Sequence, residues 1–265
     1  MPNAHFGNLA DVFKHLALTE VLGAMRPMEY WESHAGSAVN AETAEPTLER
    51  QHGVHTFMRV APTMEELRLS LYARALSSPL LGKTVPAAIP GSPFLARLCL
   101  AENIRRMLFC DVDAESLGSI RQALFAVGAG RKELGADKIE CVADDGISIL
   151  RGAGVLLPES WTSSTLAFLD PYEMRESTDA GITPLELACE LASRTIVTLL
   201  FYTFSDETGR EERQKLIMQS LEKSRLMKRA HRFEGALACP AEGSPTQWGF
   251  GMLAINLRDD ARLAV

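Results

Sequence analysis

Three short apolar runs in this chain lead into carboxylates, and helical stretches separate them. RMLFCD closes on Asp111, KIECVADD on Asp145, and LAFLDPYEM carries Asp170 directly after its apolar part. An apolar run of this length, bounded by a turn signal, suits a strand buried on both faces. Strands that alternate with helices imply a parallel sheet with right-handed crossovers. Ligands of open α/β sheets sit beyond the carboxyl ends of the strands, so Asp170 and Tyr172 stand at the lip of such a site. Pro171 fixes φ and offers no N–H, which makes the turn between them stiff. An ordinary Asp-Pro turn would carry the same letters.

The remaining elements follow from periodicity and punctuation. Residues 8–25 predict a helix capped by Asn8, with Lys14 and His15 inside it. MEYWES (28–33) predicts the first strand, and the turn His34-Ala35-Gly36-Ser37-Ala38 follows it. Residues 40–90 change character and predict a mostly helical insertion beside the sheet. Within it, Thr63 and Glu66 have capping-box spacing at the start of a helix over 63–76. Pro79, Gly82, Pro86 and Pro90 end the segment. PGSP then opens a helix over 93–101, with Ser92 as its cap. Later strands are expected over 106–111, 138–142, 165–170 and 195–204, with helices over 114–127 and 211–226 and a short one from 147. Strands over 230–237 and 248–257 pair as an edge hairpin. The expected architecture is α/β: one domain over residues 1–265, with a Rossmann-like seven-stranded sheet of the class I methyltransferase kind and a helical insertion subdomain over 40–90.

Composition narrows the function classes. The chain has 265 residues, 46% apolar and 23% charged, with a formal net charge of -7. That balance does not favour a nucleic-acid binder, which usually carries a basic stripe. Lys215, Lys223, Arg225, Lys228, Arg229 and Arg232 are the densest basic group and read as the solvated face of a late helix and strand. No apolar run is long enough to cross a bilayer, and the N-terminus lacks a signal-peptide pattern, so a cytoplasmic location is expected. Cys99, Cys110, Cys141, Cys189 and Cys239 are scattered singly, which argues against a disulfide framework. The six histidines do not join them at metal-ligand spacing, so no metal site is expected.

Successive strands thus end in His34, Asp111, Asp145 and Asp170. A nucleoside-carrying cofactor needs such an order. A carboxylate at the second strand end can accept both ribose hydroxyls, one at the third can accept from an adenine amino group, and one at the fourth can face the reacting centre. Each acid alone is more often a helix cap.

Across almost its whole length the chain resembles the bacterial family that methylates an adenine N6 of 23S ribosomal RNA. HFGNLADVFKH (5–15) is similar to the family's HAGNHADVLKH, SHAG (33–36) to its THAG, and ADDG (143–146) to its ADG. PGSP with the following LAR (90–97) is nearly identical. LDPYEM (169–174) resembles IDPPYEM, and Gly251-Met252 and Ile255-Asn256 match the closing strand. The resemblance implies S-adenosylmethionine as cofactor. Lys14 and His34 would bind its methionine part and Ser92 would line the site. Asp111 would hold the ribose, and Asp145, with Gly146 beside it, the adenine. Asp170 would be the acid beside the transferable carbon, and the His5 region would fold over the site.

The departures fall on the acceptor side. The family motif has two prolines where this chain has Asp170-Pro171-Tyr172, so Tyr172 is displaced and one fixed acceptor is lost. THAGAG becomes SHAGSA, and LWYP becomes Leu200-Phe201-Tyr202-Thr203. The expected function is therefore an S-adenosylmethionine-dependent enzyme acting on a small molecule. A more radical version has the cofactor's own amine attack its γ-carbon, giving a cyclic amino acid and methylthioadenosine. That chemistry needs mainly proximity and orientation. Tyr172 would stabilise the sulfonium by a cation–π contact, and Asp170 and Tyr172 are the catalytic candidates. The alternatives are adenine-N6 methylation of 23S ribosomal RNA and a catalytically silent cofactor-binding protein. Oligomeric state is not legible.

Overall fold

In the computed structural model, residues 6–41, 47–78, 81, 88–100, 104–128, 138–178, 181–238 and 247–258 are described. The strands are β1 (Glu29–Glu32), β2 (Val39–Ala41), β3 (Ala88–Pro90), β4 (Arg106–Asp111), β5 (Ile139–Ala143), β6 (Thr165–Leu169), β7 (Val197–Phe204), β8 (Ala230–Ala238) and β9 (Gln247–Ile255). Seven of them form one sheet in the order β5-β4-β1-β6-β7-β9-β8. β4 and β5 pair in parallel, as do β6 and β7, while β9 runs antiparallel to both β7 and β8. This is the α/β sheet expected from the sequence, with the last two strands as a hairpin. Every residue of β6 is buried, as its unbroken apolar run requires.

The antiparallel edge is built on glycines that make room for rings. Tyr202 lies opposite Gly251, Phe204 opposite Gly249, and Phe250 opposite Gly235. A Cβ at these glycines would fall 2.3, 2.0 and 2.5 Å from the facing ring. Each ring occupies the place that a side chain at the facing glycine would take.

By internal contacts the chain divides into two compact units. One comprises Met1–Glu29, Ala35–Ala143 and Arg258–Val265, the other Tyr30–His34 and Asp144–Leu257. In the first, α1 (Leu9–Met25) is capped by the Asn8 side chain, which accepts from the Asp11 N–H at 2.8 Å. A buried cluster joins Val12 of α1 to Val54, Phe57, Tyr72 and Leu76 of the insertion and to Ile89 and Leu95. β2 and β3 pair antiparallel, Asn40 facing Ile89, and so close the two ends of that insertion. This short pair was not foreseen.

The single helix expected over 63–76 is broken. A 3-10 turn (Ala61–Thr63) is followed, after α2 (Leu48–Arg50) and α3 (Thr56–Val60), by α4 (Glu65–Leu69) and α5 (Leu71–Leu76). Thr63 donates its hydroxyl back to the Val60 carbonyl, so the capping box with Glu66 does not form. Ser70 breaks the run with extended ψ and caps α5, accepting from the Ala73 N–H. Glu20 of α1 takes the neighbouring Leu71 N–H at 2.8 Å. A side chain from another helix thus supplies the acceptor that continuation of the helix would have supplied. α6 (Ser92–Cys99) starts on Ser92 itself, with Gly91 as its N-cap, rather than being capped by Ser92. A Cβ at Gly91 would lie 2.1 Å from the Ser37 carbonyl oxygen, so this position requires glycine. α7 (Ala114–Gly128) follows β4.

In the second unit, α8 (Gly146–Leu156) and α9 (Glu159–Thr162) precede β6. α10 (Pro184–Ser193) has a full capping box between Thr183 and Glu186, a signal present in the sequence and not used there. α11 (Glu207–Lys223) begins four residues before the expected 211, because Asp206 caps it through the Gly209 N–H. Asn256 ends β9 in the left-handed region and donates its amide to the carbonyls of Ala192 and Ile196.

Two glycines of α8 make opposite predictions. A Cβ at Gly146 would lie 1.9 Å from the Ser33 carbonyl oxygen, whereas one at Gly152 meets nothing within 4 Å. Gly146→Ala is expected to destabilise by about 2–3 kcal/mol and Gly152→Ala to stabilise by roughly 0.5–1 kcal/mol, read as urea midpoints. Equal midpoints for the two variants would contradict this close approach.

Candidate functional site at the strand ends

In the first unit, Asp111 at the end of β4 organises the turn that follows β1. Its Oδ2 accepts the Gly36 N–H at 2.8 Å and its Oδ1 the Asp113 N–H at 2.9 Å. Ala35 donates to the Cys110 carbonyl next to it, at 2.9 Å. Gly36 has φ of 57°, and a Cβ there would meet nothing within 4 Å. A positive φ favours glycine, and here it leaves open space directly over the turn. Asp113 caps α7 through the Glu115 N–H and the Ser116 hydroxyl, and Ser116 in turn touches the Ser37 hydroxyl at 3.2 Å. Gly91 donates to the Ala38 carbonyl at 2.8 Å, which brings buried Ser92 to the same turn. The structure therefore gathers Asp111 and Ser92 around residues 36–38. Ser37, Asp113 and Ser116 belong to the same cluster and were missed, although Asp113 and Ser116 have the spacing of a cap and its partner.

Lys14 lies on α1 in a half-buried polar group. Its ammonium is 2.8 Å from Asp11 Oδ1, and both side chains are 14% exposed. Asp11 Oδ2 also accepts the Gly7 N–H at 2.7 Å. Burial works against the charged form of Asp11, yet the Lys14 ammonium and these hydrogen bonds hold its carboxyl below the usual range. Next to it His15 packs against Tyr72, ring centroids 5.8 Å apart. His15 Nδ1 and the Tyr72 hydroxyl are both buried without a hydrogen-bond partner. Burial, and then the Lys14 charge, push the imidazole down to about 3, so it is neutral at physiological pH.

In the second unit, the Ser33 hydroxyl and His34 Nδ1 are 2.7 Å apart at the end of β1, and Ser33 donates its N–H to Phe168 of β6. Asp145 caps α8: Oδ1 accepts from the Ile147 N–H, Oδ2 from the Ser148 N–H and hydroxyl. A role toward adenine would have to share a carboxylate already occupied in this way. Asp170 follows β6 and is half-buried, and Tyr172 is 100% exposed. Glu173, which was not singled out from the sequence, is bound by Arg213 and Arg175. The His5 region and Cys239 lie outside the described residues.

Tyr202 turns to the sheet edge, where its hydroxyl donates to Glu234 at 2.7 Å. Glu234 also receives Arg210, Gln214 and Arg232. Tyr202 thus serves a structural network in the second unit. Lys215, Lys223, Arg225, Lys228, Arg229 and Arg232 are exposed, as a solvated face requires, and Arg232 pairs with Glu234. Among the described residues no group of three or more His, Cys, Asp or Glu is placed to hold a metal ion. No helix among them is long and apolar enough to cross a membrane.

No family model matches the chain, and no curated protein matches it. Among solved structures it is similar to protein LPL1258 from Legionella pneumophila, of the family model DUF519. That alignment has 20% identity and a TM-score of 0.70, and it covers 96% of this chain and 87% of that one. A precorrin-6y C5,15-methyltransferase from Geobacter metallireducens aligns at 12% identity over 96% and 97% of the chains, with a TM-score of 0.43. The putative methyltransferase SMU.1697c from Streptococcus mutans, in complex with SAH, aligns at 8% over 92% and 96%, with a TM-score of 0.40. At those two scores no residue can be carried across. The Legionella likeness bears on the fold alone. Together with the sheet order it shows an α/β fold built on a seven-stranded sheet.

The neutral buried His15 gives a pH prediction. Its folded pKa lies below the ordinary 6.5, so the unfolded chain takes up the proton first. Stability is then intact above about pH 6.5 and falls as the pH drops toward about 3, by up to ~1.4 kcal/mol per pH unit from this group. His15→Gln should flatten the urea-midpoint profile between pH 6.5 and 4.5. Parallel profiles for the two proteins would show that His15 is not buried neutral.

Proposed function

We propose that this chain is an S-adenosylmethionine-dependent transferase whose acceptor is a small molecule. The observation that carries the reading is Asp111 with the Gly36 turn. Each oxygen of its carboxylate accepts one backbone N–H, which leaves each a lone pair, and the space above Gly36 is open. Two vicinal ribose hydroxyls fit such an acceptor pair, each charge-assisted bond being among the stronger kind. Ser92 and the Lys14–Asp11 pair belong to the same unit. His34, oriented by Ser33, offers a further polar group at a strand end. When bound, the cofactor supplies an electrophilic carbon on a sulfonium. The protein's share is to orient it and, at Asp170, to accept the proton that leaves the acceptor. The net charge of -7 favours a small acceptor over a polyanion.

A second reading, adenine-N6 methylation of 23S ribosomal RNA, draws on Tyr172. A fully exposed ring two residues beyond Asp170 is a surface on which a flipped base could stack.

Purified protein incubated with S-adenosylmethionine separates these by mass spectrometry and calorimetry. We expect saturable cofactor binding that weakens at least about tenfold in Asp111→Ala, the loss of two charge-assisted bonds. S-adenosylhomocysteine formed only with small-molecule extracts supports the first reading. Methylthioadenosine with a cyclic amino acid, from cofactor alone, would make the cofactor itself that small molecule. Methylation of unmodified ribosomal RNA supports the second reading. Absence of cofactor binding overturns both.

A further inference from the structure

α11 is a polar helix that buries little, and what it buries forms one stripe. Ile217 and Leu221 are its buried residues among those whose side chains are described. Arg213 stands one turn before Ile217, at i, i+4 and i+8 spacing, and therefore on the same face. Its side chain is only 13% exposed. An arginine in the position of a core residue is tolerated only when its charge is paired. The partner is Glu173, whose Oε2 accepts from Arg213 Nη2 at 3.0 Å.

Glu173 is the residue after Tyr172. Its Oε1 also accepts the backbone N–H of Arg175 at 3.1 Å and Arg175 Nε at 3.2 Å. Arg175 reaches α11 a second time, through Glu212 at 3.7 Å. Pro171 and Met174 on either side are buried. The turn after β6 is thus pinned at Pro171, Glu173 and Met174, while Tyr172 between the pins is fully exposed. Burial disfavours charge on Glu173, but the two guanidinium groups hold its carboxyl below the usual range.

We propose that Arg213, acting through Glu173, is a positioning residue that fixes the Asp170-Pro171-Tyr172 turn for the transfer step. This rests on the reading of that turn as the reacting end of the site. Arg213 touches neither cofactor nor acceptor in this scheme. It sets where Asp170 and Tyr172 stand.

The test uses the full chain as Arg213→Gln, Arg213→Lys and the doubly neutral Glu173→Gln/Arg213→Gln, which leaves no unpaired charge if the single variant folds poorly. Two measurements are made. Backbone hydrogen exchange without ligand should be accelerated about tenfold or more over residues 170–176 in the Gln variants, and left unchanged around Asp111 and in α1. Turnover should fall at least about tenfold in kcat, with cofactor affinity within about threefold of the parent, because orientation rather than binding is lost. Arg213→Lys, which keeps the charge but not the fork, should lie between. Exchange accelerated throughout the protein, or unaltered over 170–176, overturns the proposal. So does a parallel loss of cofactor affinity. A parent protein that binds no cofactor overturns the functional reading, while the exchange result still tests the clamp.

Discussion

Parallel strands stop abruptly, and the backbone donors just beyond them must find acceptors. In this chain carboxylates supply them. Asp111 holds the Gly36 and Asp113 amides, Asp113 the start of α7, and Asp145 the start of α8. A buried amide without a partner costs about 1–3 kcal/mol and a half-buried one less, so these acids are first structural partners. That partnership is also what preorganises them. A carboxylate locked by two backbone donors does not have to be ordered again when a ligand arrives. The acids nevertheless differ. Asp111 accepts one bond per oxygen and binds the Gly36 turn, where a Cβ would meet nothing, whereas Asp145 receives both a backbone N–H and a hydroxyl on Oδ2. Structural and ligand-binding roles are compatible in the first and compete in the second.

The parts of the fold legible in the sequence were those with strong local signals. β4 was read at its observed bounds because RMLFCD is apolar, short and ended by an acid, and α1 was read with its true cap because Asn8 stands immediately before a periodic run. Signals that depend on distant partners were not legible. Ser70 breaks residues 63–76 partly because Glu20, fifty-one positions away, takes the Leu71 amide. β2 and β3 are three residues each and have meaning only as a pair. The capping box at Thr183 was fully visible and went unread.

Of the candidate site residues, Asp111 and Asp145 were legible as acids that end β4 and follow β5, because each closes a short apolar run. The burial of His15, and the half-burial of Lys14 and Asp11 beside it, was not, since a Lys-His pair on a helix usually faces solvent. Here the insertion covers them: Tyr72 and Val54, in the same cluster as Val12, close over that stretch of α1. The insertion therefore changes the chemistry of α1. It desolvates Asp11 and His15, leaves the imidazole neutral, and forces Asp11 to take both the Lys14 ammonium and the Gly7 amide.

The turn after β6 has a single proline, where the family that the sequence resembles has two. With one proline in place of two, the backbone has one fewer fixed φ, and Tyr172 has no packing of its own. Stiffness has to come from elsewhere. It comes from side chains, through Glu173 and two arginines, one of them half-buried on the inner stripe of α11. A turn that merely connected a strand to a helix would not need an arginine in a core position to anchor it, since a leucine there would bury more cheaply. Arg213 therefore makes sense if the place of Asp170 and Tyr172 matters. A polyanionic acceptor would also need positive potential around that turn. There, however, Glu173 and Glu212 pair with Arg213 and Arg175, which leaves two acids against two bases and no surplus to attract phosphates. The balance suits an acceptor recognised by shape and a few polar contacts, which is how small-molecule sites work.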